Sequence, residues 1–164
     1  GQLSFADAGG GITVADQFRV TADITSSQDI TSNIERVDTS GQGGITANQM
    51  SESSGVFTFP LTGIYLVSCG GRGDAPSGAD NVSMSIKVTT NNSSYTAITD
   101  FSESAGASNS AKNFGIFGTS LIDVTDVSNV KVMFAVGSIS SGTFFTGSTT
   151  SNATYMTFIR LGDT

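Results

Sequence analysis

The sequence contains no histidine. That absence removes the Ser-His-Asp and Cys-His arrangements of hydrolases and the imidazole ligands that most zinc sites use. A single cysteine, Cys69, excludes an internal disulfide and a multi-cysteine metal centre. It lies inside an apolar run, where a thiol serves as a small core hydrophobe. Charged residues make up only 13% of the chain, and 7 basic against 14 acidic side chains leave a net charge of −7. That balance repels the phosphate backbone, so nucleic acid is not an expected partner. No apolar run approaches the roughly 20 residues that a membrane-spanning helix needs, so membrane insertion is not expected. A glycosidase working with two carboxylates stays open, because spacing alone does not tell which acids face each other. No motif implies a cofactor.

What the chain does have is 20 glycines and an abundance of Ser, Thr and Asn among alternating apolar residues. This composition suits many short strands joined by tight turns, and 164 residues suffice for one core. Phe18, Val20, Ala22 and Ile24 alternate with Arg19, Thr21 and Asp23, the period of a strand with one buried face. The same period returns in Val82, Met84, Ile86 and Val88, and in Val130, Val132, Phe134 and Val136. Shorter candidates are Ile34 to Val37, Ile45 to Met50, Val56 to Phe59, Ile64 to Cys69, Tyr95 to Ile98, Phe114 to Leu121, Phe144 to Thr146 and Tyr155 to Leu161. No segment carries a helical period. Stretches such as "DTSGQGG", "GGRGDAPSGAD" and "SESAGASNSA" read as loops. The expected architecture is an all-β, antiparallel two-sheet sandwich of the jelly-roll kind. Residues 1–14 read as a lead-in or the end of a stalk, and residues 15–164 as the folded domain.

The most informative stretch is "SGVFTFPLTGIYLVSC", Ser54 to Cys69. Phe57 and Phe59 fall on one strand face, Pro60 withdraws a ladder donor, and Gly63 allows a backbone angle closed to other residues. A sharp corner is predicted there. Beyond it Ile64, Tyr65, Leu66 and Val67 are apolar on both faces, which calls for cover on both sides: the domain's own core and a second layer or subunit.

Gly55, Phe57, Pro60, Gly63 and Tyr65 match the G-x-F-x-x-P-x-x-G-x-Y signature of the C1q and tumour-necrosis-factor jelly roll, and the chain resembles that family from about residue 15 to its end. The closing "TYMTFIRL" and the opening "DQFRVT" resemble the family's last and first strands. The resemblance implies a homotrimer, with Ile64, Leu66 and Ser68 and then Tyr155, Thr157, Ile159 and Leu161 at the subunit interface. It implies that Tyr65, Val67, Cys69, Met156 and Phe158, with Phe57 and Phe59, fill the core. In place of a glycine-aspartate pair that many C1q members carry, this chain has "LIDVTDVSNVKV", so residue roles between Asn81 and Asn152 do not carry over. The run "NIERVDTSG…MSESSGVFTFPLTGIYLVS" resembles C1q-like modules in structural proteins of tailed bacteriophages, marine ones especially.

These readings converge on a non-enzymatic trimeric module on the exterior of a phage virion, in a fibre or capsid decoration. Its expected partners are its own copies, other virion proteins or a host-surface glycan or protein. Two alternatives are a secreted C1q-like lectin or adaptor and a glycan-degrading virion enzyme. Candidate ligand-binding loops are Gly70 to Asp80 and Ser102 to Asn113, with Arg72, Asp74, Asp80 and Lys112 as their charged residues. Arg72-Gly73-Asp74 spells the integrin attachment tripeptide, for which chance in a Gly-rich turn is the simpler account. Asp74, Asp80 and Asn81, or Asp123 and Asp126, are oxygen donors without a calcium-loop spacing and read more simply as turn formers. Phe144 and Phe145 cannot both face the core of one regular strand, so they read as a bulge or subunit contact ahead of an exposed platform.

Overall fold

The computed structural model describes residues 11–76, 81–104, 111–140 and 142–164. Among these residues twelve strands form: β1 (Ala15–Val20), β2 (Gln28–Asp29), β3 (Ile34–Arg36), β4 (Ser51–Ser53), β5 (Val56–Thr58), β6 (Gly63–Ala75), β7 (Asn81–Thr89), β8 (Thr96–Ser104), β9 (Lys112–Val124), β10 (Lys131–Gly137), β11 (Phe144–Phe145) and β12 (Thr154–Gly162). Every pairing is antiparallel. In the first sheet β9 pairs along the whole of β6, whose other side carries β12 and then β11, with β1 and β3 beyond β12. The second sheet runs β4-β5-β10-β7-β8, and β2 continues the β5 side of β10. The chain changes sheet at every step from β1 to β4, and again between β5 and β6, β6 and β7, β8 and β9, β9 and β10, and β10 and β11, which is a jelly roll.

The alternating runs became strands because each presents one apolar face to a shared core. Phe158 sits at its centre, with ring centroids 5.0 Å from Phe57, 5.9 Å from Phe134, 6.2 Å from Phe18 and 6.4 Å from Phe59. Tyr65, Val67, Cys69 and Met156 are fully buried beside this cluster. Burial pushes the Cys69 thiol up to about 12. Val14, just ahead of β1, is also fully buried, and its carbonyl accepts the Arg160 amide.

The corner at Pro60 joins the two sheets. Ahead of it, β4 and β5 are linked by a two-residue turn in which Ser54 (φ 51°) and Gly55 (φ 81°) both take positive angles, the geometry that matches the twist of a hairpin. After it, Gly63 has φ 139°, and a Cβ there would lie 2.3 Å from the Gly162 carbonyl oxygen. The Tyr65 hydroxyl donates back to Leu61 O at 2.8 Å and Arg160 Nε donates to Thr62 O at 2.8 Å, so the corner is pinned from both sides. Burial raises the Tyr65 hydroxyl above its ordinary range, against the opposing pull of the Arg160 charge.

Three expectations from sequence are corrected. Ile45 to Met50 is not a strand: Ile45 N bonds Ala15 O, Asn48 Nδ2 bonds Thr13 O and Met50 N bonds an Asp16 carboxylate oxygen, single ties rather than a ladder. Regular pairing in β1 stops at Val20, and Ile24 returns only through an isolated bridge to Phe145. The glycine-rich stretch read as a loop from Gly70 is strand as far as Ala75, because its glycines admit neighbours that side chains would exclude. A Cβ on Gly71 would lie 2.6 Å from the Phe145 ring, and one on Gly73 would lie 2.7 Å from the Phe114 ring and 1.8 Å from Phe144 O.

Candidate subunit interface

Strand alternation assigns the outer face of the first sheet. On β6, Tyr65, Val67, Cys69, Gly71 and Gly73 point into the sandwich, so Ile64, Leu66, Ser68, Gly70, Arg72 and Asp74 point out. The register aligns outward residues in rows. Leu121, Leu66, Ile159 and Ala15 form one row, Thr119, Ser68, Thr157 and Gln17 the next, and Phe117, Gly70, Tyr155 and Arg19 a third. Phe117 is 59% exposed and Leu121 63%, while Leu66, Ile159 and Tyr155 are half-buried. Gly70 is the hinge of the aromatic row, since a Cβ there would come within 3.3 Å of both the Phe117 and the Tyr155 ring.

The middle row satisfies its polar groups along the sheet. Ser68 Oγ donates to Thr119 Oγ1 at 3.3 Å, Thr119 Oγ1 to Val67 O at 3.0 Å, and Gln17 Nε2 to Thr157 Oγ1 at 2.6 Å. Groups bonded in this way lose little when covered. The face is therefore an apolar surface with an internally satisfied polar band, chemistry suited to burial.

One side of the face is walled by the segment that follows β3. The Arg19 guanidinium is fully buried and holds that segment down, donating to Glu35 at 2.6 Å, Asp38 at 2.5 Å, Thr39 at 2.7 Å and Gln42 at 3.2 Å. Arg36, stacked 4.7 Å from the Phe18 ring centroid, pairs with the buried Asp16 at 3.0 Å and donates to Met50 O at 2.6 Å.

The residues singled out from sequence fall as follows. Ile64, Leu66 and Ser68 on β6 and Tyr155, Thr157 and Ile159 on β12 lie together on this face. Leu161 is 55% exposed at a register irregularity between Arg160 and Gly162. Phe57, Phe59, Tyr65, Val67, Met156 and Phe158 are inside the sandwich. Arg72 and Asp74 are not in a loop: they lie on β6, opposite Gly115 and Asn113. Lys112 is exposed and opens β9, Ser102 to Ser104 end β8, and Asp80 lies outside the described residues, as do 105–110. Phe145 is fully buried and Phe144 half-buried, so the pair is no open platform.

Asp126 is taken up by its own turn: Ser128 N and Oγ donate to Oδ1 at 2.8 and 2.6 Å and Asn129 Nδ2 to Oδ2 at 2.7 Å. These bonds hold its carboxyl below the usual range. Among the described residues no three His, Cys, Asp or Glu side chains gather as a metal site would require.

Sequence reasoning missed the two most exposed members of the face, Phe117 and Leu121. Their signal was present. In "NFGIFGTSLIDV" both alternation phases carry large apolar residues, the same two-sidedness that marked β6.

The fold and face together define a TNF-like jelly roll. Solved structures similar to it include Eiger TNF from S. frugiperda, with a TM-score of 0.66 at 13% identity, covering 94% of this chain and 96% of that one. Murine APRIL at pH 5.0 is also similar, with a TM-score of 0.62 at 9% identity and coverage of 90% and 98%. No family model matches the chain, and no curated protein does either. No helix among the described residues is long and apolar enough to cross a membrane.

Proposed function

We propose that this chain is a non-enzymatic module that works as a homotrimer, closing the outer face of the β9-β6-β12-β1 sheet around a three-fold axis. The observation that carries this reading is the exposure of Phe117 at 59% and Leu121 at 63% beside Leu66, Ile159 and Tyr155. Exposed apolar surface in two rows on either side of an internally satisfied polar band marks an interaction site. The likeness in fold to Eiger TNF and APRIL supports a binding role in place of catalysis. Several acids are also already engaged in structure: Asp16, Asp29, Glu35, Asp38 and Asp163 in ion pairs, Asp126 in its turn.

The setting we assign is the exterior of a phage virion, as a fibre or capsid decoration that contacts other virion proteins or the host surface. Its support is the resemblance through "NIERVDTSG" and the corner motif. Three copies of each loop turn weak contacts, of roughly millimolar strength, into useful avidity where the spacing fits. A secreted lectin or adaptor is the second reading, favoured by the likeness to Eiger TNF and APRIL.

Light scattering after size exclusion, over a range of concentrations, tests the assembly. A mass three times that of the chain is expected, and a monomer throughout would remove the proposal. Peptide mass spectrometry of purified virions tests the setting, where absence of the chain would favour the secreted reading.

A further inference from the structure

Arg72 and Asp74 stand on the outer face of β6, beyond the aromatic row. They are two residues apart on one strand face, about 7 Å between Cα atoms. Of the 4 arginines in the chain, Arg19, Arg36 and Arg160 each hold a carboxylate. Arg72 differs: it is exposed, and its guanidinium has no hydrogen-bond or ion-pair partner among the described residues. Asp74, half-buried beside it, likewise has no cationic partner there.

The surroundings of Arg72 are bare. Gly115 faces Arg72 from β9, and a Cβ on it would meet nothing within 4 Å. Gly70, the preceding outward position on the same strand, likewise carries no side chain. Beside Arg72 the sheet face is therefore open, while Asp74 stands between Asn113 on β9 and Phe144 on β11.

We infer that Arg72 of each copy pairs with Asp74 of the next copy, making a closed ring of three ion pairs at one end of the subunit interface. The inference rests on the trimer proposed above. In a cyclic assembly each interface joins two different patches, and every residue recurs at the same height around the axis. Three Arg72 guanidinium groups at one level would repel one another, but the Asp74 carboxylates lie one pleat repeat further on. An arginine side chain is long enough to span that step, and its planar fork suits a carboxylate. The ring also fixes direction, since it forms only when all copies point the same way along the axis. The tripeptide "RGD" then belongs to assembly, with its backbone paired on both sides within the sheet.

The test compares the wild type with Arg72→Asp, Asp74→Arg and the double exchange R72D/D74R, by light scattering over a concentration series and with circular dichroism as the check of folding. Each single reversal should move the trimer-to-monomer midpoint to about ten- to a hundredfold higher concentration. The exchange should bring it back to within about threefold of wild type. As a second reading that avoids bulky replacements, added NaCl should weaken the wild-type trimer, and Arg72→Gln with Asp74→Asn should abolish that response. A wild-type trimer indifferent to the single reversals, or an exchange no better than either single, overturns the ring and leaves the trimer standing. A wild type that is monomeric at every concentration overturns the trimer and the ring with it.

Discussion

The two sheets share one core, and their outer faces differ in kind. The second sheet shows water Ser83, Ser85 and Lys87 on β7, Asp100 and Ser102 on β8 and Lys131 on β10. The ion pair it carries among the described residues, Lys87 with Asp29 at 2.8 Å, spans β10 at the surface. The first sheet instead presents Phe117, Leu121, Leu66, Ile159 and Tyr155, and the Arg19 guanidinium that pairs with Glu35 is sunk beneath a covering segment. An antiparallel sheet needs only one apolar face to fold. The second sheet comes close to that requirement, with Ile98 on β8 its one large apolar side chain markedly exposed among the described residues, and the first exceeds it with the surface that the proposed trimer would cover.

Removing the shared part should affect both faces alike. Phe158→Ala takes out the ring in contact with Phe57, Phe134, Phe18 and Phe59 and should cost about 3–5 kcal/mol of stability, read as the midpoint of urea denaturation. A loss near zero would mean that the two sheets are not held by this cluster. The faces themselves separate in a paired substitution. Leu66→Lys should dissociate the trimer at any concentration reached in solution, because an ammonium buried without a partner costs several kcal/mol. Ser85→Lys, on the second sheet opposite Asp100, should leave the mass unchanged. If both proteins stay trimeric, or both fall apart, the contrast drawn between the faces is wrong.

Much of this contrast was legible in the sequence, and the illegible remainder has a physical pattern. Alternation located β7 and β10, since each has one face in the core and one outside, and a short apolar run marked β12. Two-sided apolarity marked β6 as needing cover twice. Alternation could not find β2 or β4, which have 2 and 3 residues, too few for a period. It also stopped β6 too early, at Cys69, because "GGRGDA" carries turn propensity locally. The strand continues through it only because β9 pairs along its whole length and Phe145 and Phe114 fill the places a side chain would take. Those neighbours are far away in sequence, so no local reading could supply them. The same failure hid the character of Arg72 and Asp74, which became face residues once the loop became a strand.

The ion pairs give a smaller version of the same comparison. Arg19→Met should destabilise by about 1–3 kcal/mol, since Thr39 and Gln42 lose a buried partner while Glu35, partly exposed, and Asp38, exposed, turn to water. Lys87→Met should cost about 0–1 kcal/mol, as surface pairs do. Thermal denaturation of the two variants side by side decides it, and equal losses would mean that the covering segment over Arg19 contributes nothing.

The smallest expected effect concerns the core between the faces. Cys69 lies fully buried on β6, and desolvation pushes its thiol up to about 12 from 9.0. The unfolded chain therefore gives up this proton first, and the native state retains it. Its contribution is complete below about pH 9 and declines as the pH rises from there toward 12. At pH 8 the folded protein should leave a thiol reagent unreacted, and urea should release one equivalent of thiol per chain. Fast labelling of the native protein would show that β6 opens locally around Cys69. The strand proposed to hold the interface would then be mobile at its centre, and the rigid first face would lose its distinction from the second.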